Sequence, residues 1–62
     1  MRSWLKELRR SLSYTQDQVA DKSGISRAYY TQIELNNRTP SPKVAMEIGK
    51  VLEFDWTRFY EE

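Results

Sequence analysis

Cysteine and histidine are both absent from this chain. Their absence excludes a disulfide framework, thiolate zinc sites, a thiol nucleophile and any histidine-based triad. Long apolar runs are missing too. None exceeds three residues, so no segment reads as a membrane span. Met1-Arg2 is followed by Trp4, Leu5, Lys6 and Glu7, with no apolar stretch of signal-peptide type. A reducing cytoplasm is therefore the expected location. With neither bridge nor structural metal available, the core must come from helix packing or from a partner chain. A chain of 62 residues has room for one domain, 1–62, and buries only about 60% of its unfolded surface. No paired carboxylates in a cleft and no phosphate-cradling glycine loop are visible, so an enzyme is not expected, nor a metal or cofactor.

The net charge of +1 conceals an uneven distribution. Residues 1–46 hold eight Lys/Arg against four Asp/Glu, and residues 47–62 hold two against five. The first part is thus +4 and the rest −3. Such polarity suits a basic face for a polyanion with an acidic end kept away from it; two ordinary solvated faces are the plain alternative.

Helical periodicity recurs along the chain, and no segment alternates long enough for a strand. Trp4, Leu5, Leu8 and Leu12 mark a first amphipathic helix over about 2–12, broken at Ser13-Tyr14. Thr15-Gln16-Asp17-Gln18 reads as a capping box opening a second helix, about 16–23, which buries Val19 and Ala20 and ends at Gly24. Ser26 caps a third helix, about 27–35, burying Tyr30 and Ile33 and closed by Asn36-Asn37. Ser41-Pro42 is a cap followed by proline at the first helical position. Val44, Ala45, Ile48, Val51 and Leu52 then mark a fourth helix. Asp55 can cap a short fifth one carrying Trp56, Phe59 and Tyr60. The expectation is an all-α, compact five-helix domain.

The second and third helices, joined by a short turn around Gly24, have the form of a helix-turn-helix. Ala20 is small where the two would cross, and Ile25 plugs the turn. Arg27, Ala28, Thr31 and Gln32 share one stripe of the third helix. It is polar, small and nearly free of acids, as suits a helix entering the major groove.

The segments TQDQVADKSGISRAYYTQIE (15–34) and NNRTPSPKVAMEIGKVL (36–52) resemble the Cro/phage-repressor type of helix-turn-helix, the Xre family. The resemblance runs from Arg9 to about Trp56. It implies a five-helix, phage-repressor-like domain of prokaryotic or phage type that binds operator DNA, commonly as a two-fold dimer on a palindromic site. The matching positions imply roles. Gln16 falls on the family's phosphate-contacting glutamine. Arg27, Ala28, Thr31 and Gln32 fall on the base-reading face: Gln32 can pair with adenine, Arg27 with guanine or with phosphate, and Ala28 or Thr31 can touch a thymine methyl. Asn37, Arg38 and Thr39, with Lys43, fall on a second phosphate clamp. Arg10 and Tyr29 can reach flanking phosphates, or serve as free surface and half-buried packing respectively. Arg9 and Glu34 fall on a structural ion pair.

Some positions depart from the family pattern. Asn36 and Glu53 stand where helix-ending glycines are usual, Tyr30 replaces an aliphatic anchor, and Gly49 sits inside a helix. The aromatic cluster Trp56, Phe59 and Tyr60 is a candidate homodimer contact; Phe59 and Tyr60 covering the core is the alternative. The function expected is a sequence-specific double-stranded DNA-binding regulator, a repressor acting as a dimer. An antitoxin-like or co-regulatory protein-interaction module is the alternative.

Overall fold

Every α-helix after the first begins where a short side chain can accept from a first-turn amide. The computed structural model describes residues 1–61 and contains α1 (Ser3–Ser11), α2 (Gln16–Ser23), α3 (Arg27–Glu34), α4 (Pro42–Leu52) and a final 3-10 helix (Trp56–Tyr60). Thr15 Oγ1 accepts from Gln18 N at 3.1 Å while Thr15 N donates to Gln18 Oε1 at 2.8 Å, completing the capping box. Ser26 Oγ accepts from Tyr29 N at 3.1 Å, and Ser41 Oγ from Val44 N at 3.4 Å with Pro42 next in the chain. Asp55 likewise caps the final turn through Thr57 N at 3.0 Å. That last element is a 3-10 helix, so the architecture is four α-helices and a 3-10 turn rather than five α-helices.

The helix ends share one device. Ser13, Gly24, Asn36 and Glu53 all have φ between 60° and 73°. After each of them the next amide reaches back five residues: Tyr14 to Arg9 O, Ile25 to Ala20 O, Asn37 to Gln32 O and Phe54 to Gly49 O, at 2.9–3.1 Å. This reverses the chain while satisfying carbonyls that the helix leaves open. Only one of the four is glycine, and Glu53 takes the left-handed conformation in spite of its Cβ.

The core comprises Leu5, Val19, Ala20, Tyr30, Ile33, Ala45, Ile48, Leu52 and Phe59. Phe59 is 2% exposed and packs with Trp4 and Phe54 in a triangle of rings with centroids 5.2–5.5 Å apart. Leu12, expected on the inner stripe of α1, lies beyond its last turn and stays 37% exposed.

Gly49 is buried where the chain doubles back over α4. A Cβ there would lie 2.9 Å from the Phe54 carbonyl oxygen and 3.1 Å from Trp56 Cβ. The close approach explains a glycine inside a helix, at a position whose propensity favours alanine. Gly49→Ala is expected to lower stability by about 1–3 kcal/mol, read as a shift in urea midpoint, because backbone must move to admit the methyl group. Glu53→Gly should raise stability by about 1 kcal/mol in the same assay, since glycine adopts this φ without steric cost.

Candidate nucleic-acid interface

α3 divides its residues between two sides. Tyr30, Ile33 and Glu34 face inward and are buried. Arg27 and Ala28 are exposed, and Tyr29, Thr31 and Gln32 are half-buried. The expected stripe therefore lies at the surface, while Val19 and Ala20 of α2 share the core cluster with Tyr30 and Ile33 of α3.

A polar network beneath the stripe sets its position. Arg9 grips Glu34 bidentately, Nε to Oε2 at 2.9 Å and Nη2 to Oε1 at 3.0 Å. Arg9 Nη1 also donates to Tyr14 O at 2.9 Å, closing the α1 turn. Gln16 Nε2 donates to Glu34 Oε1 at 3.2 Å, and Thr31 Oγ1 donates to Gln16 Oε1 at 3.1 Å. One carboxylate thus joins α1, α2 and α3. Burial by itself would raise the Glu34 pKa; hydrogen bonds from Arg9 and Gln16, with the Arg9 charge and the nearby Tyr30 hydroxyl, outweigh it and hold the group below its ordinary 4.5. Burial, with Glu34 alongside, pushes the Tyr30 hydroxyl far up, so it stays neutral.

The edges of the stripe are tied differently. Asn37 Nδ2 donates to Gln32 Oε1 at 2.9 Å, joining the loop after α3 to the helix. The Arg38 guanidinium lies 5.0 Å from the centroid of the Tyr29 ring, a cation–π contact. Arg27 Nη1 stands 3.7 Å from Asp17 Oδ2 with both side chains more than 60% exposed, so this pair contributes little. Asn37, Arg38 and Thr39 are exposed on the loop, as are Lys43 in the first turn of α4 and Arg10 on α1. Neither Arg10 nor Lys43 forms an ion pair among the described residues.

Sequence reasoning did not single out Arg2, which is 3% exposed. Its backbone N–H donates to Glu34 O at 2.8 Å, and its guanidinium donates to Ile33 O and, at 3.0 Å, to Arg38 O. It also sits 5.4 Å from the Phe59 ring centroid. A cation at the C-terminal end of α3 suits the helix dipole, and α3 has no basic residue of its own in its last turn. That local lack was the only available signal.

Of the three aromatics expected at a dimer contact, Phe59 is withdrawn into the core and cannot serve. Trp56 is half-buried, and Tyr60 is 45% exposed with its hydroxyl donating to Pro40 O at 2.8 Å. Among the described residues no cluster of acidic side chains could hold a metal ion, and no helix is long and apolar enough to cross a membrane.

Two short helices packed into one core, a left-handed glycine between them and a polar outer stripe define a helix-turn-helix DNA-binding domain. Residues 5–59 match the Helix-turn-helix family, and the chain belongs to it, in its Xre form. It is 50% identical over 62 residues to YqaF, an uncharacterized HTH-type transcriptional regulator of Bacillus subtilis (strain 168), covering all of this chain and 82% of that one. It is 41% identical over 49 residues to YqaE, another uncharacterized HTH-type transcriptional regulator of that organism, covering 79% of this chain and 42% of YqaE. Among solved structures it is similar to the N-terminal DNA binding domain of SinR from Bacillus subtilis, with a TM-score of 0.83 at 26% identity, over 97% of this chain and 88% of that one. The chain is therefore a DNA-binding domain of the transcriptional-regulator type.

The Glu34 network makes a pH prediction. Its folded pKa is depressed, so its contribution is fully present above the unfolded value near 4.5 and is lost as pH falls through the lower folded value. Glu34→Gln should cost about 2–4 kcal/mol at neutral pH, because Arg9 loses its counter-charge. The difference from wild type should shrink in acid, as measured by urea unfolding across the carboxylate range.

Proposed function

We propose that this chain is a sequence-specific transcriptional repressor that binds a palindromic operator in double-stranded DNA as a two-fold dimer. The observation that carries the reading is the surface stripe Arg27, Ala28, Thr31 and Gln32, bound at one edge by Gln16 through Thr31 and at the other by Asn37 through Gln32. α3 enters the major groove, and these four residues meet base edges. Gln16 and Arg10 contact phosphates beside one edge. Tyr29, Asn37, Arg38, Thr39 and Lys43 contact those beside the other. A cation in the first turn of α4 opposes the helix dipole, and a phosphate partner for Lys43 offsets that cost. Repression needs no further machinery, since an occupied operator excludes other proteins from the same DNA.

The dimer reading rests on the surface around Trp56. It includes Tyr60, whose ring is 6.1 Å from that of Trp56, and Met46, which is 41% exposed. Lys50 lies in the same groove as Glu53 and Asp55, and such mixed charge suits a patch that meets its own copy.

The test is selection of duplexes from a random library at fixed salt, followed by titration of two variants. Gln32→Ala should lose base preference at one position per half-site, by about 1–3 kcal/mol. Lys43→Ala should weaken all duplexes alike and reduce the salt slope by about 1. Selected half-sites should be separated by about one helical turn, roughly 34 Å. Recovery of isolated half-sites only would remove the dimer. If neither substitution alters DNA binding and a protein partner co-purifies, the chain is instead an antitoxin-like or co-regulatory module.

A further inference from the structure

A buried carboxylate dictates the direction of every hydrogen bond leading from it to the DNA-facing stripe. Glu34 is 2% exposed and gripped bidentately by Arg9, so it is ionised and can only accept. Gln16 approaches Glu34 Oε1 at 3.2 Å, and only its amide nitrogen can donate there. That turns the Gln16 carbonyl oxygen toward Thr31, 3.1 Å away. A carbonyl oxygen accepts, so the Thr31 hydroxyl must donate. The hydroxyl has one proton, and it is spent within the protein. What Thr31 offers outward is its oxygen lone pairs and its methyl group.

The neighbouring amide pair behaves differently. Gln32 and Asn37 meet at 2.9 Å, and among the described residues neither side chain has a charged partner to fix its direction. Both amides can turn together and keep the bond, so Gln32 retains a choice of donor or acceptor that Thr31 lacks.

We infer that Thr31 reads its operator position as an acceptor only, selecting adenine or cytosine on the strand it faces, with Gln16 as the residue that sets this polarity. The inference rests on the reading that α3 lies in the major groove. There, adenine N6 and cytosine N4 carry exocyclic amino groups that donate. Guanine O6 and N7 and thymine O4 accept, and would face the Thr31 lone pairs without a shared proton. Gln16 acts through Thr31 and is a positioning residue for it, beside any contact it makes to phosphate with its remaining N–H.

The experiment is a random-duplex selection at one fixed salt concentration with wild type, Thr31→Val and Gln16→Ala. Thr31→Val keeps the shape and removes the oxygen. One position per half-site should lose its preference in this variant. At that position wild type should enrich adenine or cytosine over guanine or thymine on one strand by about fivefold. Gln16→Ala should flatten the preference at the same position, because the freed hydroxyl can rotate and donate, while other positions keep their order. A uniform loss of affinity in Gln16→Ala does not mimic this, since a phosphate contact carries no base preference. If Gln16→Ala lacks a cooperative melt, Gln16→Met, of similar length and without a carbonyl, takes its place. Guanine or thymine at the Thr31-dependent position overturns the inference. So does the absence of any Thr31-dependent position, or a full preference kept in the Gln16 variant. Wild type that selects no sequence at all overturns the operator reading and this inference together. A clear operator with the wrong base there overturns the inference alone.

Discussion

Glu34 is a carboxylate with 2% side-chain exposure in a chain of 62 residues, and three helices meet on it. An ionised group at that depth is costly unless its oxygens are satisfied. Arg9 supplies two hydrogen bonds from α1, and Gln16 supplies one from α2. Apolar packing alone would allow α3 to slide or rotate slightly against its neighbours. The bidentate geometry does not, because both Arg9 bonds must stay short together. The buried pair thus contributes less through net stability than through fixing which side of α3 faces outward.

The helices are only 8–11 residues long, lengths at which isolated helices are marginal in water. Their persistence depends on what happens at their ends. Caps on Thr15, Ser26 and Ser41 satisfy first-turn amides, and the four left-handed residues turn the chain sharply enough to keep loops short. Arg2 performs a similar service for α3 from a distance, donating to Glu34 O and adding a donor to Ile33 O in its last turn. Gly49 belongs with this set. It admits the returning Phe54 carbonyl, so that the 3-10 helix can lay Phe59 into the core against Trp4.

The parts legible from sequence are those decided within a few residues. The capping box, the Gly24 turn, the Ser41-Pro42 start and the left-handed Asn36 each depend on neighbouring chemistry, and each stands where it was expected. The outer stripe of α3 follows from helical periodicity. The Arg9–Glu34 pair was accessible only through family resemblance, because its partners are 25 residues apart. The burial of Arg2, the withdrawal of Phe59 and the 3-10 form of the last turn depend on how distant segments meet. Local propensity carries no such information. The Gln16–Thr31 link has the same origin: each residue was visible as a separate contact, and their hydrogen bond was not.

Burial also changes how the basic charge of residues 1–46 should be weighed. Arg2 and Arg9 are drawn into the scaffold, so their cations serve carbonyls and Glu34 rather than a duplex. Arg27 is shared with Asp17, though an exposed pair of this kind is readily exchanged for a phosphate or a base edge. The outward cations are then Arg27, at one end of the stripe, with Arg10, Arg38 and Lys43 on its flanks. The middle of the stripe is neutral: a methyl group, a hydroxyl and an amide. On the proposed reading, attraction to the duplex would come largely from the periphery, and discrimination from groups whose value depends on orientation. A neutral hydroxyl distinguishes bases only if its proton has a fixed place. The ionised carboxylate beneath the helix supplies that fixity, which links the interaction that orders the fold to the one that would order the readout.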